Sequence, residues 1–222
     1  RDFDLTTSPA RLFAIYLGQP TATNALSVVA SQACSATTGL ANGINGTLAT
    51  GGVATMDVPR GIIASWTGTA VLTISGVDAF GTEISEVSAS GTSMVGKKAF
   101  KEVRGVSTSA NITALTVGTS SILGLPMLLE RADDVLTQIE GASIALPGTV
   151  TPGYVTQPSG TTGDIRGTYT PASTPDGVKS FTLFAAVKSA GWIKRSEPAT
   201  DTSVVAPTSV PLSSIAASGW EG

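Results

Sequence analysis

The stretch from residue 69 to 126 constrains this chain most, because it carries four strand-like runs in succession. Val71, Leu72, Ile74 and Val77 lie among Thr, Ser and Gly, a strand composition rather than a helical one. Asp78-Ala79-Phe80-Gly81 then reads as a turn, since aspartate bonds its own backbone and glycine takes positive φ freely. A second run with Ile84 and Val87 among polar neighbours completes an expected antiparallel hairpin. The run from Ala99 to Ser107 puts Phe100, Glu102, Arg104 and Val106 on one face and Lys101, Val103 and Gly105 on the other. Neither face is purely apolar, which predicts a strand near a sheet edge. A fourth run from Ile112 leads to the Gly124-Leu125-Pro126 stop, and the four together read as a β-meander.

With 222 residues the chain is long enough to bury a substantial core. Only 13% of residues are charged, about a quarter are Ser or Thr, and there are 25 Gly and 12 Pro. That is the usage of many short strands joined by tight turns. The expected fold is mainly β: an antiparallel β-sandwich or barrel-like meander with extended N- and C-terminal arms and at most one short helix. The net charge of −3 and pI near 4.9 argue against nucleic acid as a partner, since phosphate contacts need clustered Lys and Arg. No apolar run reaches membrane-spanning length, so no membrane partner is expected, and residues 1–9 show no signal-peptide pattern.

Three segments are expected: an N-terminal strand and extended arm over 1–52, a β-rich core over 53–195, and an extended tail over 196–222. The apolar run from Leu12 to Leu17 reads as an edge strand of its own domain, with addition to a neighbour's sheet as the alternative. Residues 21–52 carry no Lys, Arg, Asp or Glu. Such a stretch needs a partner surface, or a path across its own domain, to become ordered. Val53 to Trp66 reads as two strands broken at Pro59-Arg60-Gly61. Residues 125–141 are the one place for helical material: Asp133-Asp134 could cap a short turn carrying Val135, Leu136 and Ile139. Residues 146–163 read as a Pro/Gly-rich linker, followed by two strands around a second Pro/Gly loop.

The chemical inventory is sparse. There is no histidine, which removes Ser-His-acid and Cys-His arrangements and the commonest zinc ligand. Cys34 is the one cysteine, has no charged neighbour in sequence, and reads as a small buried hydrophobe. The run from Gly91 to Lys97 has the glycine and lysine spacing of a phosphate loop. Lys98 stands where Ser or Thr would hold magnesium, however, and a strand-like run follows, so the match reads as chance. Asn45-Gly-Thr and Asn111-Ile-Thr match the glycosylation triplet, as a Thr-rich chain readily does. Trp66 reads as core and Trp220 as a contact to another subunit, although with Trp192 they are also candidate platforms for sugar rings. No catalytic residue, cofactor or metal site is expected, and no enzymatic activity.

In order along the chain, ISGVDAFGTEISE from Ile74, GKKAFKEV from Gly96, VGTSSILGLP from Val117, TGDIRGTY from Thr162 with Pro171, and DGVKSF from Asp176 resemble a group of tailed-bacteriophage virion proteins. These are the head-decoration, or cement, proteins, and the resemblance covers roughly residues 53–187. It implies a non-enzymatic accessory protein on the outer capsid surface, a homotrimer bound to the major capsid protein and bracing it against internal pressure. Leu12, Phe13, Ile15, Tyr16, Leu17 and Trp220 are the apolar anchors expected at protein interfaces, where extended strands add to open sheet edges. Another virion component (tail, neck or fibre-anchoring protein) is the alternative, and a β-sandwich carbohydrate-binding module a more distant one.

Overall fold

The computed structural model describes residues 10–144 and 146–188. The tail over 196–222, with Trp220, and also Trp192, lie outside the described residues. In chain order the strands are β1 (Ala10–Gly18), β2 (Asn24–Ser35), β3 (Gly39–Leu40), β4 (Ala49–Thr50), β5 (Val53–Ala70), β6 (Leu72–Val77), β7 (Glu83–Val87) and β8 (Gly91–Val95). They continue as β9 (Phe100–Thr108), β10 (Ile112–Gly124), β11 (Val135–Glu140), β12 (Ser143–Ile144), β13 (Thr149–Pro152), β14 (Gly167–Thr170) and β15 (Phe181–Lys188). The one helical element among the described residues is a 3-10 turn at Ala132–Asp134. The fold is mainly β, antiparallel and sandwich-like, with a large sheet ordered β13-β14-β10-β5-β9-β6-β7 and a small one ordered β1-β15-β11-β12.

The Asp78 turn forms as expected. Asp78 Oδ1 accepts hydrogen bonds from the Phe80 and Thr82 amides, Gly81 sits at φ +78°, and β6 pairs with β7 over Thr73–Val77. The four runs are antiparallel, but they do not lie side by side in sequence order. β9 sits inside the sheet between β5 and β6, not near an edge, which corrects that expectation. Its faces look mixed in sequence because of a β-bulge: Ser75 pairs with Gly105 while Gly76 pairs with Val103, leaving Arg104 as the extra residue. The bulge returns Val103 and Val106 to the same buried face, so simple alternation misreads this strand.

β5 is one strand of 18 residues, not two. Ala54, Met56, Arg60, Ile62, Ala64 and Trp66 are all buried at even positions, so the period of two runs straight through Pro59. Proline interrupts only the ladder to β9, which skips from Thr55 to Arg60. Val135, Leu136 and Ile139 also depart from expectation. They lie on strand β11, paired to β15, because a strand partner is available for this β-branched run and no helical face is buried.

Residues 21–52 are ordered against their own domain rather than held out as an arm. β2 pairs with β10, and Val28, Val29 and Cys34 are buried in the first core. Its other edge is closed by residues 41–48, with Gly46, Leu48 and Ala41 amides donating to Val28, Ser27 and Ala33 carbonyls. That first core is formed by β2, β5, β6, β8, β9 and β10. A second core lies under the small sheet, where Ile15, Leu17, Phe181, Leu183 and Val187 meet Leu123, Leu125, Leu129 and Tyr169. Arg60 joins the two regions. Fully buried, it donates to the Ser120 carbonyl on β10 and to the Thr21 carbonyl in the link between β1 and β2.

Candidate functional site

The sequence of β1 alternates, and the fold uses both of its faces. Ile15 (3% exposed) and Leu17 (6%) point into the second core, with Phe13 partly buried against it. Those three are therefore satisfied within the chain. Leu12 (65% exposed) and Tyr16 (62%) face outward with Ala14 between them. The sequence reading grouped all five as one interface; pleating divides them.

Register extends the outward face across the small sheet. Leu12, Ala14 and Tyr16 stand opposite Ala186, Phe184 and Thr182 on β15, and Phe184 and Thr182 stand opposite Thr137 and Ile139 on β11. Ile139 in turn stands opposite Ile144, which is 79% exposed. The residues at these positions are neutral and most are apolar, and Lys188, in register with Ala10 at the end of the strands, is the one charge in the series. Leu136, at the register shift between Val135 and Thr137, adds a further exposed apolar side chain. A largely apolar exposed face of this kind is a mark of an interaction surface. Residues on β11, β12 and β15 were missed from sequence because only strand pairing places them beside β1.

A second candidate is a cleft of about 170 Å³ between β7, the segment 96–99 and the loop 158–166. Here the phosphate-loop-like stretch finds its use. The Glu86 carboxylate accepts the Lys97 and Lys98 backbone N–H groups, and Asp164 Oδ2 accepts the Ala99 N–H at 3.1 Å. Carboxylates of the same chain thus occupy the amides that a phosphate would need. Lys98 Nζ donates to the Ser85 carbonyl at 2.8 Å and the Ser159 carbonyl at 2.6 Å, pinning the loop to β7. Burial pushes the Glu86 carboxyl above its ordinary value, against the opposing pull of the amides and the lysine charges. Burial likewise lowers Lys98, opposed by Glu86 and Asp164. Beside it, Arg166 pairs with buried Asp78 at 2.8 Å, donates to the Leu125 carbonyl and lies 4.8 Å from the Phe80 ring. Each of these contacts knits one chain segment to another, and the cluster reads as a structural seam.

The remaining candidates are accounted for by packing. Trp66 is 5% exposed in the first core and Cys34 1%, where burial raises its thiol. Asp133 is exposed in the 3-10 turn beside Arg131. The side-chain oxygens of Asn45 and Asn111 accept the Ala30 and Ala36 amides. Tyr169, between the second core and Gln138, is pushed up to about 12 by burial and the charge of Glu140. The described residues hold no cluster of three or more His, Cys, Asp or Glu placed to bind a metal ion. No helix of the described residues is long and apolar enough to cross a membrane.

Fold and site together define a sandwich-like β protein with an exposed, largely apolar sheet face. Comparison with models of protein families, with curated proteins and with solved structures finds no match.

Proposed function

We propose that this protein is a structural component of a tailed-phage virion, a cement protein that binds the outer surface of the head and contacts the major capsid protein. The observation that carries this reading is the largely apolar outer face of the small sheet, in a chain whose sequence has no histidine and only one cysteine, which is buried. A cement protein works by covering surface on its neighbours, and exposed Leu12, Tyr16 and Ile144 supply apolar area for that purpose. Many copies attached to one head raise avidity without a deep site on any single copy. A role in the tail or neck is supported by the same surface. The carbohydrate-binding reading loses Trp66 as a stacking platform, because that ring is core.

The test is co-sedimentation of the purified full chain with phage heads that lack it, followed by imaging of the particles. Saturable binding and density on the outer head surface are expected. Density confined to the tail or neck would assign the alternative virion role, and absence of binding to either would overturn both.

A further inference from the structure

The segment that closes β2 carries two Asn-Gly pairs, Asn42-Gly43 and Asn45-Gly46, and the fold treats them differently. Asn45 is locked to β2. Its side-chain Oδ1 accepts the Ala30 N–H at 3.0 Å and an N–H of Gln32 Nε2 at 2.9 Å, and the Gly46 N–H donates to the Val28 carbonyl at 2.9 Å. Gly46 lies so close against β2 that a Cβ there would meet the Ser27 backbone carbon at 2.3 Å. Asn42, by contrast, is exposed, and among the described residues its side chain has no hydrogen-bond partner. Gly43 follows at φ +65° with open space where a Cβ would stand, and its N–H is held by at most the turn at residues 41–42. Buried Gln32 grips only the backbone around this pair. Its Oε1 accepts the Asn42 N–H at 2.6 Å, and its Nε2 donates to the Gly43 carbonyl at 2.8 Å.

We propose that Asn42 is a site of spontaneous covalent modification, converting in the folded protein to aspartate and isoaspartate, while the same loop protects Asn45. The Gly43 backbone nitrogen gives its proton to a solvent base and attacks Asn42 Cγ. The Nδ2 group takes up a proton and leaves as ammonia, closing a five-membered succinimide. Water then opens the ring. Breaking the bond from Cγ to the nitrogen gives aspartate, and breaking the original backbone C–N bond gives isoaspartate. One water enters and one ammonia leaves, so no oxidant or reductant is needed. Glycine suits the attacking position because it has no Cβ to crowd the nitrogen and turns freely. At Asn45 the same attack first has to release the hydrogen bonds to Ala30, Gln32 and Val28. The product sets a carboxylate within residues 21–52, which carry no other charged side chain. Isoaspartate also adds one carbon to the backbone between the two groups that Gln32 grips, which loosens the loop over β2. The reaction needs no phage head and is followed on the purified protein.

The experiment holds the full chain in mildly alkaline buffer, either folded or in urea, and follows each asparagine by peptide mapping with fragmentation that separates aspartate from isoaspartate. In the folded chain Asn42 is expected to convert about tenfold or more faster than Asn45, and in urea the two rates are expected to converge. Asn42→Gln changes an exposed side chain, so circular dichroism is expected to be unchanged while most of the isoaspartate formed by the folded chain is lost. Equal rates at the two sites in the folded chain, faster conversion at Asn45, or undiminished isoaspartate in Asn42→Gln overturns the proposal. So does a folded chain in which Asn42 stays intact while the chain in urea converts.

Discussion

At the scale of single residues, backbone geometry separates two glycines that look alike in sequence. Gly81 needs its positive φ, but a Cβ there would meet nothing within 4 Å. Gly81→Val is therefore expected to cost about 1 kcal/mol or more, from strain alone. At Gly76 the same atom would lie 1.9 Å from the Glu102 carbonyl oxygen on the bulged strand β9. Gly76→Ala is expected to be the more damaging substitution, and urea unfolding of both variants checks the order. Two carboxylates give opposite pH signatures. Burial raises Glu86 above 4.5 in the folded state, so its contribution is greatest below 4.5 and is lost as pH rises through the raised value. Burial also pushes Asp57 up, but hydrogen bonds from Thr21 and Val58 and the Arg60 charge outweigh it and hold it below 3.8. Its contribution is present above 3.8 and is lost as pH falls through the lowered value. Stability measured against pH should thus lose a falling component in Glu86→Gln and a rising one in Asp57→Asn. Identical profiles for wild type and both variants would contradict this assignment.

At the scale of elements, the seam around Lys98 decides how the loop 158–166 is held. The Val87 amide of β7 donates to the Gly160 carbonyl, and Lys98 fixes the same loop through the Ser159 carbonyl. Lys98→Met removes two charge-assisted hydrogen bonds while keeping most of the side chain's bulk. Hydrogen exchange at Val87 is expected to accelerate about tenfold or more, with amides in β10 unchanged. A uniform acceleration across β6, β9 and β10 would show that Lys98 supports the whole sheet instead. β5 illustrates the opposite case, in which a proline that suggests a break is absorbed because the buried face continues past it.

At the scale of the molecule, Arg60 and the second core couple the two sheets. Arg60→Ala leaves the buried Ser120 carbonyl and the part-buried Thr21 carbonyl without their Arg60 donors and opens a cavity. A loss of about 3 kcal/mol or more is expected, with unfolding still a single calorimetric transition. Two resolved transitions would show that the sheets fold separately. What the sequence determined alone was local: strand composition, the Asp78 turn, and the absence of histidine. The first two rest on propensity and turn chemistry, each contained within a few neighbouring residues. Tertiary structure decided the rest. It set β9 in the interior between β5 and β6, made Val135–Glu140 a strand by giving it β15 as partner, and ordered residues 24–35 against β10. It also divided Leu12 and Tyr16 from Ile15 and Leu17, and brought Phe184, Ile139 and Ile144 beside the outward pair. The physical reason is that register and sheet order are long-range. A bulge, a covered edge or a shared face depends on hydrogen-bond partners far away in sequence, and no local window contains them.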